Sequence, residues 1–422
     1  MHSKCYIFLV LLLLFNIKVV LASETSTNGL LEIRYGYREN NTEGQKRTSI
    51  NELKIQLNTE SEFDELVFNL SLDLKSDAVD NEHSIDLNSG EGNVDLRQFN
   101  VLFYPSDNID IKVGRQILTW GTTDLLFIND LFPKDFKSFF IGRTEGYLKA
   151  PSDAIKISFF PKIANFDLVY IPKFNADRFV TGERISFYDP ILQDFRTSNN
   201  PIITKNKSDW FNDDELAMRV TKNIEGLETA LYYYKGFWKS PSFFDIESEL
   251  WEFSNLEVTG ASIRTAFSGG IFNAEIGRYK SDSLSKNNPF SRNSELRFLL
   301  GFEKELLTEL TASLQYYTEK KLNYSNYLNS LPELVLAQPK RRRLVSLMMT
   351  KLMLQQNLTL SLVNIYSFTE KDGYIKLNAS YKFSDRFKSD IGWNRFFGSG
   401  DESNFSGLKR NNNLYAGVSY TF

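Results

Sequence analysis

Leu414-Tyr415-Ala416-Gly417-Val418-Ser419-Tyr420-Thr421-Phe422 closes the 422-residue chain and decides its fold. Side chains alternate between the two faces of a strand. Leu414, Ala416, Val418, Tyr420 and Phe422 therefore share one face, and Tyr415, Gly417, Ser419 and Thr421 the other. The first face is apolar throughout and finishes on two aromatic residues. Chain termini usually fray in water, so a soluble domain has no use for its most apolar strand face at that place. In a closed membrane barrel the last strand seals against the first, which gives that face a solvent of its own kind.

With Tyr420 and Phe422 in these positions, the ending resembles the C-terminal assembly signal of bacterial outer-membrane β-barrel proteins. The resemblance implies the barrel-assembly machinery, outer-membrane lipid and lipopolysaccharide as partners. The other end agrees. Lys4, the apolar run from Tyr6 to Phe15 and the small residues at Val20-Leu21-Ala22 read as a secretory signal over residues 1–22, with 23–422 as one barrel. That run is well short of the roughly 20 residues a spanning helix needs. Cys5 is the only cysteine and lies inside the signal. The mature chain is therefore expected to have no disulfide, thiolate metal site or cysteine nucleophile.

The chain carries 35 Phe and 20 Tyr, yet its mean hydropathy is only −0.32. Beyond the signal it has no apolar run long enough for a membrane helix. Aromatic richness with low average hydropathy is what a transmembrane barrel needs, because one face of each strand meets lipid and the other water. Loss of Lys4 and Lys18 with the signal lowers the 49 basic residues to 47 against 53 acidic, a net charge of −6. That balance argues against nucleic-acid binding.

Period-2 alternation recurs along the whole chain, as in Leu66, Phe68, Leu70, Leu72 and Leu74 against Val67, Asn69, Ser71, Asp73 and Lys75. It predicts strands near 30–37, 48–58, 65–75, 94–104, 108–117, 153–160, 165–174, 214–223 and 226–235. It continues at 256–267, 269–280, 294–303, 309–318, 343–352, 356–366, 373–383, 386–396 and 412–422. The fold class is thus all-β, a transmembrane antiparallel up-and-down barrel of about 18 strands. Tight links such as 104–108, 222–226, 268–270 and 384–385 alternate with long ones near 76–93, 118–152, 175–213, 236–255, 319–342 and 397–411. Short periplasmic turns and long extracellular loops are the expected sorting, in the outer membrane of a Gram-negative cell.

Catalysis finds little support. Without the signal, His83 is the only histidine, and Asp80, Glu82, Ser84 and Asp86 around it read as a solvated acidic loop. Glu91-Gly92 with Asp80 and Glu82 is the nearest approach to a calcium site, and such loops usually stay plain surface. No phosphate-cradling glycine motif or metal-spaced histidine cluster occurs. No catalytic residue, metal or cofactor is expected, and the chain reads as a non-enzyme.

The densest cluster of unusual residues is Gly114-Arg115-Gln116-Ile117-Leu118-Thr119-Trp120-Gly121-Thr122-Thr123-Asp124, continuing through Asn129-Asp130-Leu131-Phe132-Pro133-Lys134-Asp135. Leu125 to Ile128, Leu131 and Phe132 make it apolar enough to pack. Two arrangements fit equally: a loop folded inward that narrows the lumen, or an external loop with a hydrophobic hairpin of its own. Gly-Arg-Gln at 114–116, Trp-Gly at 120–121, Asp124, Asn129-Asp130, Pro133 and Asp135 resemble a signature of porin-like outer-membrane proteins of the alginate-export type and its uncharacterised relatives. That resemblance covers about twenty-five residues and implies an eighteen-stranded barrel; its best-known member passes an anionic polysaccharide through an arginine-dominated lumen. This sequence departs from that lumen. It leaves Arg115, Gln116, Trp120, Asp124, Asp130 and Asp135 as constriction-loop residues.

Alternation places Lys54, Lys156, Arg219, Arg264, Arg297 and Lys376 inward, with Asp73, Asp110, Glu228, Glu275 and Asp390. Opposed basic and acidic arcs of this kind would order water and sort solutes by charge. Lys340-Arg341-Arg342-Arg343 falls at the external rim, where such a run reads as contact with lipid headgroups or lipopolysaccharide phosphates. The leading expectation is a passive channel for small or anionic solutes, narrowed by an inward loop from 118–152 or, second, 175–213. The alternative is a barrel scaffold that docks a surface polysaccharide or a multihaem cytochrome. A homo-oligomer is compatible with either, and no trimer face stands out.

Overall fold

A computed structural model describes residues 24–79, 85–123, 125–282, 290–332 and 337–422. The expected signal at 1–22, His83 and Asp124 lie outside the described residues. Eighteen antiparallel strands form one closed sheet. They are β1 (Glu24–Arg38), β2 (Thr48–Phe63), β3 (Leu66–Asp77), β4 (Val94–Ser106), β5 (Ile109–Ile117), β6 (Pro151–Phe159), β7 (Asn165–Ile171), β8 (Glu215–Ile224) and β9 (Leu227–Phe237). The second half comprises β10 (Asn255–Phe267), β11 (Gly270–Asp282), β12 (Glu295–Leu307), β13 (Leu310–Lys321), β14 (Arg341–Met353), β15 (Leu358–Ser367), β16 (Asp372–Lys382), β17 (Phe387–Gly398) and β18 (Asn413–Thr421). Each strand pairs with its sequence neighbours, so the topology is up-and-down.

Closure falls where the C-terminal strand required it. β18 pairs with β1 from Leu30↔Thr421 to Arg38↔Asn413. Two backbone hydrogen bonds complete the seam: Gly29 N–H to the Phe422 carbonyl at 2.8 Å, and Phe422 N–H to the Gly29 carbonyl at 2.9 Å. No backbone edge is left to lipid. β1 starts six residues earlier than the alternation suggested. Its polar beginning pairs with β2 alone, Glu24↔Glu62 to Asn28↔Asn58. β7 stops at Ile171 rather than near 174, because Pro172 has no N–H to extend the ladder.

The wall is a soluble protein turned inside out. On β1, Leu31, Ile33, Tyr35 and Tyr37 are exposed on the outside, while Glu32, Arg34 and Arg38 are buried within. The same alternation repeats round the barrel and gives an apolar outer band. Connectors sort by rim. One rim carries the turns 64–65, 107–108, 160–164, 225–226, 268–269, 308–309, 354–357 and 383–386; the other carries 39–47, 78–93, 118–150, 172–214, 238–254, 283–294, 322–340, 368–371 and 399–412. Glu225-Gly226 (φ 50° and 89°) and Ser268-Gly269 (φ 49° and 73°) place both turn residues at positive φ, the backbone whose twist suits two-residue hairpins.

The seam yields a direct test. A Cβ at Gly29 would lie 2.4 Å from the Phe422 ring, so Gly29→Val is expected to hinder closure. The folded, heat-modifiable band on a gel should shrink strongly relative to wild type, and an unchanged band would show that this contact is dispensable.

Candidate functional site: a loop laid across the lumen

The segment 118–150 folds inward and spans the barrel from wall to wall. It leaves β5 after Ile117, three residues past Gly114, whose φ of 118° is open to glycine. A Cβ there would sit 2.4 Å from the Phe99 carbonyl. Beyond this irregularity Arg115 reaches the Leu96 carbonyl at 2.6 Å and Asp153 at 3.1 Å. Gln116 donates to the Ala154 carbonyl at 3.0 Å.

The first half of the loop docks on β10 and β11. Glu275 accepts from Thr122 Oγ1 at 2.8 Å, from Asn129 Nδ2 at 2.8 Å, from Asn129 N–H at 3.1 Å and from Thr122 N–H. Room for this contact comes from Gly260 and Gly277, which face each other across the two strands. A Cβ at Gly260 would fall 1.9 Å from Asn129 Oδ1, and one at Gly277 would fall 2.7 Å from Ile128 Cγ2. Trp120 and Phe132 meet edge to face at 5.0 Å and join a buried cluster with Val169, Ala217, Tyr232 and Val258 of the wall. Asp130 ties this half together, accepting from Thr119 Oγ1 at 2.8 Å and pairing with Lys134 at 2.9 Å.

The second half docks on the opposite wall through a short helix, α1 (Phe136–Ile141). Asp135 caps its start by accepting from Ser138 N–H at 2.7 Å. Its free carbonyls are satisfied by wall side chains. Asn394 and Asn413 donate to the Phe140 carbonyl at 3.1 and 3.0 Å, and Arg34 to the Gly142 carbonyl at 2.8 Å. Phe139 packs with Tyr374 and Phe396. Further on, Tyr147 lies between Lys54 and Arg97, each 4.2 Å from its ring centroid, and its hydroxyl donates to Asp73.

The loop 172–214 completes the constriction. Asp135 and Arg178 form a parallel β-bridge, and the Arg178 guanidinium binds Asp95 of β4 through two 2.7 Å contacts and Asp135 at 3.3 Å. All three are buried. Burial alone would raise the Asp135 carboxyl, but Arg178 and Arg143 override it and hold the group below its ordinary value. Asp177 goes the other way. Burial raises its carboxyl, even though it accepts from Lys134 N–H at 2.8 Å and Ser240 Oγ at 2.7 Å.

The residues expected in the lumen do face inward, but not as two opposed arcs. They pair with near neighbours: Lys54 with Glu32 at 2.7 Å, Arg219 and Lys156 with Asp167 at 2.6 and 3.5 Å, Arg297 with Glu295 at 2.7 Å, Arg264 with Glu228 at 3.9 Å and Lys376 with Glu145 at 3.8 Å. Asp110 stands opposite Ser158. Lys54, Lys376 and Glu275 are sealed beneath the loop, whereas Lys156, Arg219, Glu228 and Arg264 keep solvent access toward the short-turn rim. Interleaved charge of this kind arises because alternation fixes which face a residue takes but not the sign of its neighbours. Sequence reasoning missed Arg34, Arg143, Tyr147 and Arg178. It also passed over Gly260 and Gly277, although glycine inside a strand is itself a sign of close backbone approach.

Beside the loop a cavity of about 300 Å³ remains against β11 to β14. Leu126, Phe132 and Lys134 bound it on the loop side, and Tyr279, Arg297, Tyr317, Glu319 and Arg342 on the wall. Arg292 lies 3.9 Å over the Trp238 ring and Arg297 3.9 Å over that of Tyr279.

No family model matches the sequence, and the comparison with curated proteins gives no match. Solved structures share the fold. Acinetobacter baumannii OccAB1 aligns with a TM-score of 0.57 at 10% identity, over 95% of this chain and 97% of that one. Pseudomonas aeruginosa OccK3 (OpdO) gives 0.55 at 11% identity over 95% and 96%, and OccD3 (OpdP) from the same organism 0.54 at 12% over 96% and 92%. At such identities the likeness is one of fold.

Two substitutions test the constriction. Glu275→Ala removes the acceptor for four loop donors, and single-channel conductance is expected to rise by a factor of two or more; an unchanged value would mean that Glu275 does not hold the loop. Arg178→Ala strands two buried carboxylates at a cost on the order of 3–5 kcal/mol. A lowered thermal midpoint by tryptophan fluorescence is expected, and the same midpoint as wild type would refute the clamp.

Proposed function

We propose that the protein is a passive, porin-like channel of a bacterial outer membrane, in which small solutes pass the constriction along the β11–β14 wall. The observation that carries this reading is the inward loop within a barrel too wide for its own side chains to fill. Polar and charged residues line the lumen on both sides of that loop, as a water-filled path requires. Around the cavity, Lys134, Lys239, Arg292, Arg297 and Arg342 turn N–H donors toward the space, while their partner carboxylates Asp130, Glu215, Glu295 and Glu370 keep the net charge near zero, so any preference for anions is slight. Selection is by size and charge, without turnover chemistry.

The scaffold alternative is not favoured, because the chain's own loop occupies the middle of the lumen where a threaded partner would lie. Nor is the alginate-export resemblance of residues 114–135 extended to cargo, since lumen acids and bases are interleaved rather than dominated by arginine. The sorting of long and short connectors supports the long-loop rim as the extracellular one.

Planar-bilayer recording of the purified protein tests the proposal. Discrete conductance steps are expected, with a reversal potential in a KCl gradient that favours chloride only slightly. A silent bilayer with folded protein present would overturn the channel reading.

A further inference from the structure

The outer face of β13 and β14 holds a cluster of charge for which conduction has no use. In register Lys320 lies directly opposite Arg341, and Arg343 follows on the same face opposite Thr318. All three are exposed. The residue between the two arginines, Arg342, points inward to Glu370 at 2.7 Å, so alternation splits this basic run between lumen and exterior.

The position of the outward three relative to the apolar band is specific. Below them the same face continues as Tyr316, Val345 and Leu347. Just past the end of the neighbouring strand β15, Phe368 N–H donates to the Arg343 carbonyl at 3.0 Å, and its ring meets Tyr366 edge to face at 5.3 Å. Phe397 stacks on Tyr366 at 6.4 Å. Tyr and other aromatic side chains gather at the level where hydrocarbon gives way to headgroups. The three cations sit one step beyond that level.

Like charges directly opposite on antiparallel strands repel. Elsewhere on the outer face such charge is matched, as with Lys280 and Glu257 at 3.1 Å. Among the described residues no carboxylate lies within ion-pair distance of Lys320, Arg341 or Arg343. An anion from outside the chain would relieve the repulsion, and a phosphate oxygen array suits two guanidinium forks and an ammonium.

We infer that Lys320, Arg341 and Arg343 bind the phosphate groups of an anionic lipid headgroup in the leaflet at the long-loop rim. The adjacent aromatic girdle places the site at headgroup depth, where a lipid arrives already oriented and a free ion does not. The inference rests on membrane insertion of the barrel and is independent of whether the lumen conducts.

The probe is lipid A in neutral-detergent micelles, titrated against the purified full-length barrel with binding read by native mass spectrometry. At about fivefold per basic residue, the triple variant Lys320→Gln, Arg341→Gln, Arg343→Gln is expected to bind roughly 100-fold more weakly. Lys320→Gln alone should cost about fivefold, and the pair Arg341→Lys, Arg343→Lys, which keeps the charge but loses the forks, should bind more weakly than wild type and more tightly than the triple variant. Single-channel conductance should be the same in all variants, which separates this test from that of the channel. Equal affinity in wild type and in the single and triple variants would overturn the inference. So would displacement of the lipid by millimolar inorganic phosphate, which would assign the patch to a soluble anion.

Discussion

Lipid offers no hydrogen-bond partner, so every backbone N–H and C=O of the membrane band must be satisfied within the chain. That constraint dictates the rest. It demands a sheet without edges, and the sheet is closed by β18 on β1 from Leu30↔Thr421 to Arg38↔Asn413. Closure of eighteen strands in turn creates a lumen that side chains alone cannot fill. The loop 118–150 occupies that space, held to one wall through Glu275 and to the opposite wall through Asn394, Asn413 and Arg34.

Filling a lumen differs from filling a soluble core. The inner face must stay polar for water, so a loop that packs on it buries charge. Glu32, Arg34, Lys54, Asp73, Asp95 and Arg97 are each nearly inaccessible. Such groups cost several kcal/mol apiece unless paired and hydrogen-bonded; here Glu32, Arg34 and Lys54 pair within the wall, and loop groups complete the set at Asp95, Asp73 and Arg97. Arg178 comes from a second loop and joins Asp95 of the wall to Asp135 of the first. The constriction is therefore one object built from two loops, joined at the Asp135–Arg178 pair.

Strand number and order were legible because a two-residue period under two solvents leaves a mark at almost every position. All eighteen strands fall where alternation put them, with ends displaced by at most six residues. The constriction was legible only in part. Trp120, Asp130 and Asp135 stand out by composition, but composition does not say whether an apolar loop turns inward or out. The deciding features lie far off in sequence: the Gly260–Gly277 notch, Glu275 and the carbonyl donors Arg34, Asn394 and Asn413. The opposed arcs of lumen charge failed for the same reason, since pairing is set by register between strands and not by position along one.

The helix α1 makes the point sharply. Six residues are too few to hold a helix in water, where nucleation alone is unfavourable. α1 exists because Asp135 caps one end and three wall side chains take up carbonyls at the other. Its sequence, Phe136-Lys137-Ser138-Phe139-Phe140-Ile141, carries three aromatic rings that pack against the cluster around Tyr374 and Phe396, with Phe140 also meeting Ile50 and Ile185. The conformation of the loop is thus written in the strands opposite it. Lumen charges that a sequence reading assigns to solute selection, Lys54 and Lys376 among them, serve first to hold the loop. The groups the loop leaves uncovered line the cavity along β11 to β14.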